Sequence, residues 1–229
     1  MREIVLDTET TGLDPSRGDR IVEIGAIELI NHVPSGQSFH AYINPDREMP
    51  PEAQAVHGLS TSFLKDKPLF SDIADDFLEF IADSIIIIHN ASFDTGFLNA
   101  ELGYLGKEPL RPERVIDTLM LARQKHPMGP NSLDALCRRY GVDNSKRTKH
   151  GALLDSELLA EVYIELVGGR QTALSLTSVE AKTVVKFQNT TVVTSRPRPL
   201  AVRLTVVEQE SHAELISEIG EAAIWNKLN

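Results

Sequence analysis

The chain has 229 residues, 41% of them apolar and 24% charged, which is typical of a globular protein with one ordinary domain and an appendage, or with two small domains. The formal net charge of −10 argues against a protein that holds nucleic acid through a broad basic surface, but it is compatible with an enzyme that holds a phosphate backbone through metal ions. The single cysteine, Cys137, excludes an intrachain disulfide, and neither a signal peptide nor a long apolar run is evident, so we expect a cytoplasmic protein without a membrane span.

Three strands are predicted first, over residues 3–8, 19–30 and 36–45, and the turn-rich stretch 31–36 predicts that the second and third form an antiparallel hairpin. Helices and strands then alternate: a short helix that ends at Gly58, a helix over 69–83, an apolar strand over 84–90, a helix over 91–106, a strand leading into a helix over 114–126, a short helix over 131–141 and an amphipathic helix over 151–169. This order predicts an α/β fold, in which a mixed sheet is covered by helices on both faces.

The composition changes after residue 168, and we place a domain boundary there, between residues 1–168 and 169–229. Residues 170–210 are rich in Thr and Val and lack a helical period, which predicts a linker with extended segments. Residues 211–229 predict a short helix whose apolar face would consist of Leu215, Ile216, Ile219, Ala223 and Trp225. Such a face either docks on a partner or packs on its own domain.

Acidic residues stand at the ends of the predicted strands. Asp7 and Glu9 follow three apolar residues on the first strand, and both point to the same face because side chains alternate along a strand. Asp94 comes in the first turns of the helix after the apolar strand, and Asp155 lies among leucines in the long helix. Taken singly, an Asp near a helix start usually complements the helix dipole. Asp7, Glu9 and Asp94, however, fall where α/β sheets bind ligands, and the acids together have no obvious cationic partner.

Divalent metal ions are the expected compensation for these acids. Carboxylate oxygens are hard ligands that suit Mg²⁺ or Mn²⁺, whereas zinc would require histidine and cysteine. Four carboxylates can hold two ions, the arrangement used for in-line displacement at phosphorus. His150 lies five residues before Asp155 and therefore does not share its helical face, which places His150 in the preceding loop. Because imidazole titrates near neutral pH, His150 suits a general base for the attacking water.

Three motifs, "VLDTETTGLD", "IIIIHNASFDTGFLNAEL" and "HGALLDSELLAEVY", occur in this order and resemble those of the DEDDh family of 3′–5′ exonucleases. The resemblance covers residues 1–168 and implies an RNase H-like, mixed five-stranded sheet flanked by helices, with an extended C-terminal tail. It implies removal of a 3′-terminal nucleotide as a 5′-monophosphate from single-stranded or frayed DNA. It also implies that His150 is the general base and that two Mg²⁺ or Mn²⁺ ions are bound by Asp7, Glu9, Asp94 and Asp155.

Further segments, among them "AVHGLS" and "GGRQTALSL", are similar to the epsilon proofreading subunits of bacterial DNA polymerase III. By position, the residues that would contact the terminal nucleotide are Asp7, Glu9, Glu52, His57 and Asp155. Residues 171–176 resemble the Gln-x-x-Leu-x-Leu peptide that contacts the sliding clamp, with contacts expected from Gln171, Leu174 and Leu176. The resemblance further implies a tail that binds the polymerase alpha subunit, a small accessory subunit in some bacteria, and a location at the replisome on the nucleoid.

The sequence also leaves open two alternative functions and the role of one basic stretch. RNA 3′-end-trimming enzymes of the same family share the domain motifs, although the tail beyond Gly169 favours replication. A replisome scaffold with a vestigial nuclease is disfavoured because all five site residues are retained. Residues 138–150 carry five Lys and Arg against one Asp, so this stretch is either a solvated loop or a contact for the DNA backbone.

Overall fold

The computed structural model describes residues 1–145, 147, 149–168 and 205–220. The chain divides into two units, Met1–Ser175 and Leu176–Asn229. The described strands are β1 Arg2–Thr10, β2 Ile21–Ile30, β3 Val33–Tyr42, β4 Ile85–Ile88 and β5 Val115–Asp117. The described α-helices are α1 Pro51–His57, α2 Thr61–Leu64, α3 Phe70–Ile81, α4 Ala91–Tyr104, α5 Thr118–Lys125, α6 Leu133–Tyr140, α7 Ala152–Leu166 and, in the second unit, α8 Val206–Ile219. Short 3₁₀ turns occur at Pro15–Arg17 and Pro112–Arg114.

The strands described in the first unit form one mixed sheet, as the sequence predicts, in the order β3–β2–β1–β4–β5. β1 pairs antiparallel with β2 and parallel with β4, while β2 and β3 form the expected antiparallel hairpin. β4 also pairs parallel with β5. The carboxyl ends of β1, β4 and β5 therefore meet at one edge of the sheet, where ligands bind in folds of this class.

The central strand β1 is buried on both faces. Ile4 and Leu6 pack in a core that includes residues of α3 and α4, whereas Val5 packs in a second core with residues of α7. Because side chains alternate along the strand, Asp7 and Glu9 continue the Val5 face and are directed toward α7. The apolar residues at the start of β1 therefore fix the face of the sheet on which Asp7 and Glu9 lie.

The hairpin turn is shorter than the sequence predicts. Asn31 and His32 both have a positive φ, of 52° and 64°, and form a two-residue turn that leads directly into β3 at Val33. The predicted turn over residues 31–36 is therefore wrong beyond His32. A register shift between Ile27 and Leu29 accommodates the additional residues of β3.

Helix α7 is more extensively buried than an amphipathic surface helix. Nine of its fifteen residues are buried, because α7 packs against β1 and β2 on one side and contacts α5 and α6 as well. Its N-terminal part approaches β2 closely: the Ser156 hydroxyl donates to the Gly25 carbonyl at 2.8 Å. Gly25 permits this approach, since a side chain there would overlap the backbone of Ala152 and Leu153.

In the second unit, α8 starts at Val206, within the stretch that the sequence predicts to be extended. Thr205 and Glu208 form a capping box, a local pattern that explains the earlier start. Leu215 and Ile219 of the predicted face are exposed, while the predicted Ala223 and Trp225 lie outside the described residues. Among the helices described in either unit, none has the length and apolarity needed to cross a membrane.

We expect Gly25→Ala to lower the free energy of unfolding by about 1–3 kcal/mol, because the added methyl group would force α7 away from the sheet. Gly103→Ala is the matched control: Gly103 lies in α4 with no neighbouring atom in the way, so this change should be neutral or stabilising. Urea denaturation of both variants checks the prediction. Equal stability of the two variants would show that the close approach of α7 to β2 is not required.

Candidate active site

Asp7 and Glu9 lie at the carboxyl end of β1, on the face directed toward α7. Asp7 pairs with Gly25 of β2, and Glu9 pairs with Glu23. Glu9 is buried, and the neighbouring Glu23 is buried as well, so two carboxylates share one face of this strand pair. Directly opposite like charges on a sheet are destabilising.

Asp94 approaches the same strand end from the α4 side. The chain leaves β4, passes through Asn90 in the left-handed conformation (φ 66°) and enters α4, with Asp94 in its first turn. Asp94 is buried and accepts two hydrogen bonds from Thr8, one from the backbone N–H at 3.0 Å and one from the hydroxyl at 2.7 Å. Thr8, which is not among the predicted site residues, therefore links α4 to β1.

Asp155 lies in the first turn of α7 and is buried against the acids of β1. Its two carboxylate oxygens accept hydrogen bonds from Nε and Nη2 of Arg147, each at 2.6 Å. A third guanidinium nitrogen of Arg147 donates to Asp134 at 2.7 Å. The expectation that the acids have no cationic partner is therefore wrong, because the loop before α7 folds Arg147 inward against residues distant in sequence.

His150 lies in the loop before α7, as predicted, with about half of its side chain exposed. Its Nδ1 lies 3.3 Å from Asp155 and 2.7 Å from Nη2 of Arg147. Since a guanidinium only donates hydrogen bonds, Nδ1 is the acceptor and the proton of the neutral ring is on Nε2. Glu9, His150 and Asp155 offer ligand atoms within 4.8 Å of one another.

The acids make one another harder to ionise. Burial and the charge of Asp94, followed by Glu9 and Asp155, raise the pKa of Asp7 well above its ordinary value. Burial, together with the charges of Asp155 and Glu23, raises the pKa of Glu9 to about 8. Burial also raises the pKa of Asp94 to about 7, although its hydrogen bonds with Thr8 oppose the shift. A divalent cation bound by these oxygens would offset both the burial and the repulsion.

A cleft of about 860 Å³ is lined by all five predicted catalytic and metal-binding residues, and a second pocket of about 490 Å³ is lined by Glu52 and His57. The two cavities share several lining residues, namely Thr8, Glu9, Leu13 and Phe93. Within the second pocket, the N–H of Leu59 donates to His57 Nδ1 at 3.0 Å. Burial lowers the pKa of His57, which favours the neutral ring. Because Nδ1 accepts the hydrogen bond from Leu59, the proton of that ring is on Nε2.

Several residues of the site have no clear signal in the sequence. Arg147 belongs to the basic stretch 138–150, so that stretch is not a wholly solvated loop. Glu23 is an acid inside an apolar strand, a pattern that indicates a buried carboxylate. Only its pairing with Glu9 in the folded chain shows that it belongs to the site. The predicted clamp contacts Gln171, Leu174 and Leu176 lie outside the described residues.

Residues 4–163 match the RNase T exonuclease family. The chain is 51% identical over 226 residues to the DNA polymerase III subunit epsilon of Rickettsia felis, covering 97% of this chain and 99% of the relative. It is 41% identical over 237 residues to the subunit of the same name from Escherichia coli strain K12, covering 98% and 97%.

Two solved structures show the same fold. Exonuclease X in complex with 5′-overhanging duplex DNA is 28% identical, with a TM-score of 0.57, and the match covers 72% of this chain and 90% of that one. The nuclease domain of 3′hExo, a DEDDh family member bound to rAMP, is 16% identical, with a TM-score of 0.63, covering 72% and 91%. The chain therefore belongs to the RNase T exonuclease family and, within it, to the epsilon subunits of DNA polymerase III.

Proposed function

We propose that this chain is the proofreading 3′–5′ exonuclease of a bacterial replicative DNA polymerase, which hydrolyses 3′-terminal nucleotides from single-stranded or mispaired ends to 5′-monophosphates. The observation that carries the proposal is the convergence of Asp7, Glu9, Asp94 and Asp155 in one cleft beside His150. The relatives that are 41–52% identical over nearly the whole chain support replication rather than RNA 3′-end trimming. Retention of all five residues in one cleft argues against a scaffold with a vestigial nuclease.

The four carboxylates fit divalent Mg²⁺ or Mn²⁺, since they supply only oxygen donors, and the raised pKa values of Asp7, Glu9 and Asp94 reflect a site whose negative charge a cation would offset. We assign two ions to them. When bound, such ions supply the positive charge that stabilises the attacking and leaving oxygens of an in-line displacement.

The remaining roles are assigned to side chains of this chain. His150, half-exposed at the cleft, accepts the proton of the attacking water. Glu52 and His57, which line the adjoining pocket, are assigned to contact the terminal nucleotide. Leu13 and Phe93 offer apolar surface there, which suits the face of a base.

The tail, residues 169–229, is assigned to partner binding. Exposed apolar side chains on the described helix α8, including Val206, Val207, Leu215 and Ile219, support docking on the polymerase subunit. Gln171, Leu174 and Leu176 are assigned to the sliding clamp on the basis of their sequence pattern. A small accessory subunit in some bacteria and a cytoplasmic location at the replisome complete the proposal.

Asp7→Asn should reduce metal-dependent 3′ degradation of single-stranded DNA below detection, because the cluster loses a charged oxygen ligand. His150→Gln should reduce the rate by about 10²–10⁴-fold, the usual contribution of a general base. Asp76→Asn, at an exposed acid of α3, is the control and should retain full activity. Matched DNA and RNA oligonucleotides are the substrates, and a strong preference for RNA would contradict the proposal.

In EDTA, the free energy of unfolding should fall as the pH rises from about 4 to about 8. Over this range the folded chain retains protons on Glu9 and Asp94 that the unfolded chain has released, so each rise in pH favours unfolding. Added Mn²⁺ should remove the fall, because the cation stabilises the ionised acids.

Urea denaturation across this pH range, with Glu9→Gln beside the exposed control Glu79→Gln, tests the assignment. Glu9→Gln should flatten the pH dependence, and Glu79→Gln should leave it unchanged. Identical curves for the two variants would show that Glu9 is not the group responsible.

Removal of residues 169–229 should abolish copurification with the polymerase subunit while degradation of single-stranded DNA persists. The reason is that the cleft residues, from Asp7 to Asp155, all belong to the part that is kept. Pull-down from cells that express either form, followed by identification of the polymerase, measures the difference. Retention of the polymerase by the shortened chain would place the polymerase contact on the catalytic domain instead.

A further inference from the structure

Arg147 is a cation that contacts the acid cluster directly, through Asp155, and its side chain is 8% exposed. Its guanidinium makes four short polar contacts: two with the carboxylate of Asp155, one with Asp134 and one with Nδ1 of His150. Burial of an arginine is costly unless its donors are paired, and here the bonds to Asp155 and Asp134 provide the pairing. The proposed mechanism assigns no role to this residue.

Arg147 and a divalent cation require the same oxygens. The two-bond contact directs one N–H to each carboxylate oxygen of Asp155, at 2.6 Å in both cases. Asp155 is itself buried, so solvent cannot screen a second cation placed beside the guanidinium. A divalent ion that binds Asp155 must therefore weaken or replace at least one of these bonds.

The guanidinium of Arg147 also contacts His150, the proposed general base. In the neutral ring of His150, Nδ1 carries the available lone pair, and this lone pair accepts a hydrogen bond from Arg147. A proton of an attacking water could not reach that lone pair while the contact lasts. Release of Arg147 from Asp155 would thus free a ligand and the base in one movement.

Asp134 offers a position to which Arg147 can move. It lies in the first turn of α6 at the wall of the cleft, and its side chain is 44% exposed, so its carboxylate is accessible. Nη1 of Arg147 already donates to it at 2.7 Å. The guanidinium can consequently leave Asp155 and remain paired with a carboxylate.

We propose that Arg147 is a resident cation of the metal site, which a divalent ion displaces from Asp155 toward Asp134, and that this displacement releases His150. The inference rests on the proposed metal-binding role of Asp155. It assigns opposite effects to two residues that bind each other: Arg147 opposes metal binding, and Asp134 assists it.

Mn²⁺ binding to the full chain, measured by isothermal titration calorimetry, tests the proposal. Arg147→Gln should bind Mn²⁺ on the order of tenfold more tightly than the wild type, since a neighbouring full charge commonly changes an ionic equilibrium by such factors. Asp134→Asn should bind it more weakly, because Arg147 would then have only Asp155 as an acid partner. Arg138→Gln, at an exposed arginine of α6, is the charge-matched control and should bind as the wild type does.

Thermal melting supplies a second readout that does not depend on activity. In EDTA, Arg147→Gln should melt at a lower temperature than the wild type, because Asp155 is left buried without its partner. Added Mn²⁺ should also raise the melting temperature of Arg147→Gln by more than it raises that of the wild type. If Arg147→Gln does not fold, Arg147→Lys keeps the charge but loses the paired geometry, and it should still bind Mn²⁺ more tightly than the wild type.

The outcomes separate this inference from the proposed function. If the wild type binds no Mn²⁺, the proposed metal site fails, and this inference fails with it. If the wild type binds Mn²⁺ but the Arg147 variants bind it equally or more weakly, Arg147 is a fixed support for Asp155, and only the displacement is overturned.

Discussion

Four carboxylates that repel one another are held together at the carboxyl end of β1 by apolar packing on both sides of that strand. Ile4 and Leu6 anchor one face of the strand, and Val5 anchors the other. Burial of these side chains is favourable, while the burial of unpaired acids is not, so the two cores stabilise a local arrangement that is unfavourable in isolation. The arrangement of the acids therefore depends on the packing of β1, which opposes their mutual repulsion.

The two helices that contribute acids compensate them differently. Asp94 on α4 receives neutral donors from Thr8, whereas Asp155 on α7 receives the charge of Arg147. Among the described residues, no donor reaches the side chains of Asp7 and Glu9, which explains why burial and repulsion dominate their pKa values. A bound cation would therefore lower the electrostatic free energy of Asp7 and Glu9 more than that of Asp94 and Asp155.

The fold was predictable because its signals are local. Strand alternation, the apolar run of β4 and the caps at Ser132 and Gly141 each act over a few residues. The five catalytic and metal-binding residues were recognisable by their residue types and by the motifs that contain them. Arg147 was not, since nothing in a basic loop indicates which cation turns inward, and that choice depends on contacts with Asp134 and Asp155 formed only in the folded chain.

The two-residue turn between β2 and β3 has a consequence at a distance. The turn and the register shift between Ile27 and Leu29 together set which β3 residue lies beside Glu23, and the resulting register brings His40 within 2.7 Å of that carboxylate. A slip of one residue would turn every β3 side chain to the opposite face. The geometry of the hairpin, from the turn at Asn31 and His32 to the shift after Ile27, thus decides whether Glu23, which lies opposite Glu9, has His40 as a neighbour, so that the charges around the acid cluster depend partly on a segment at the far end of the hairpin.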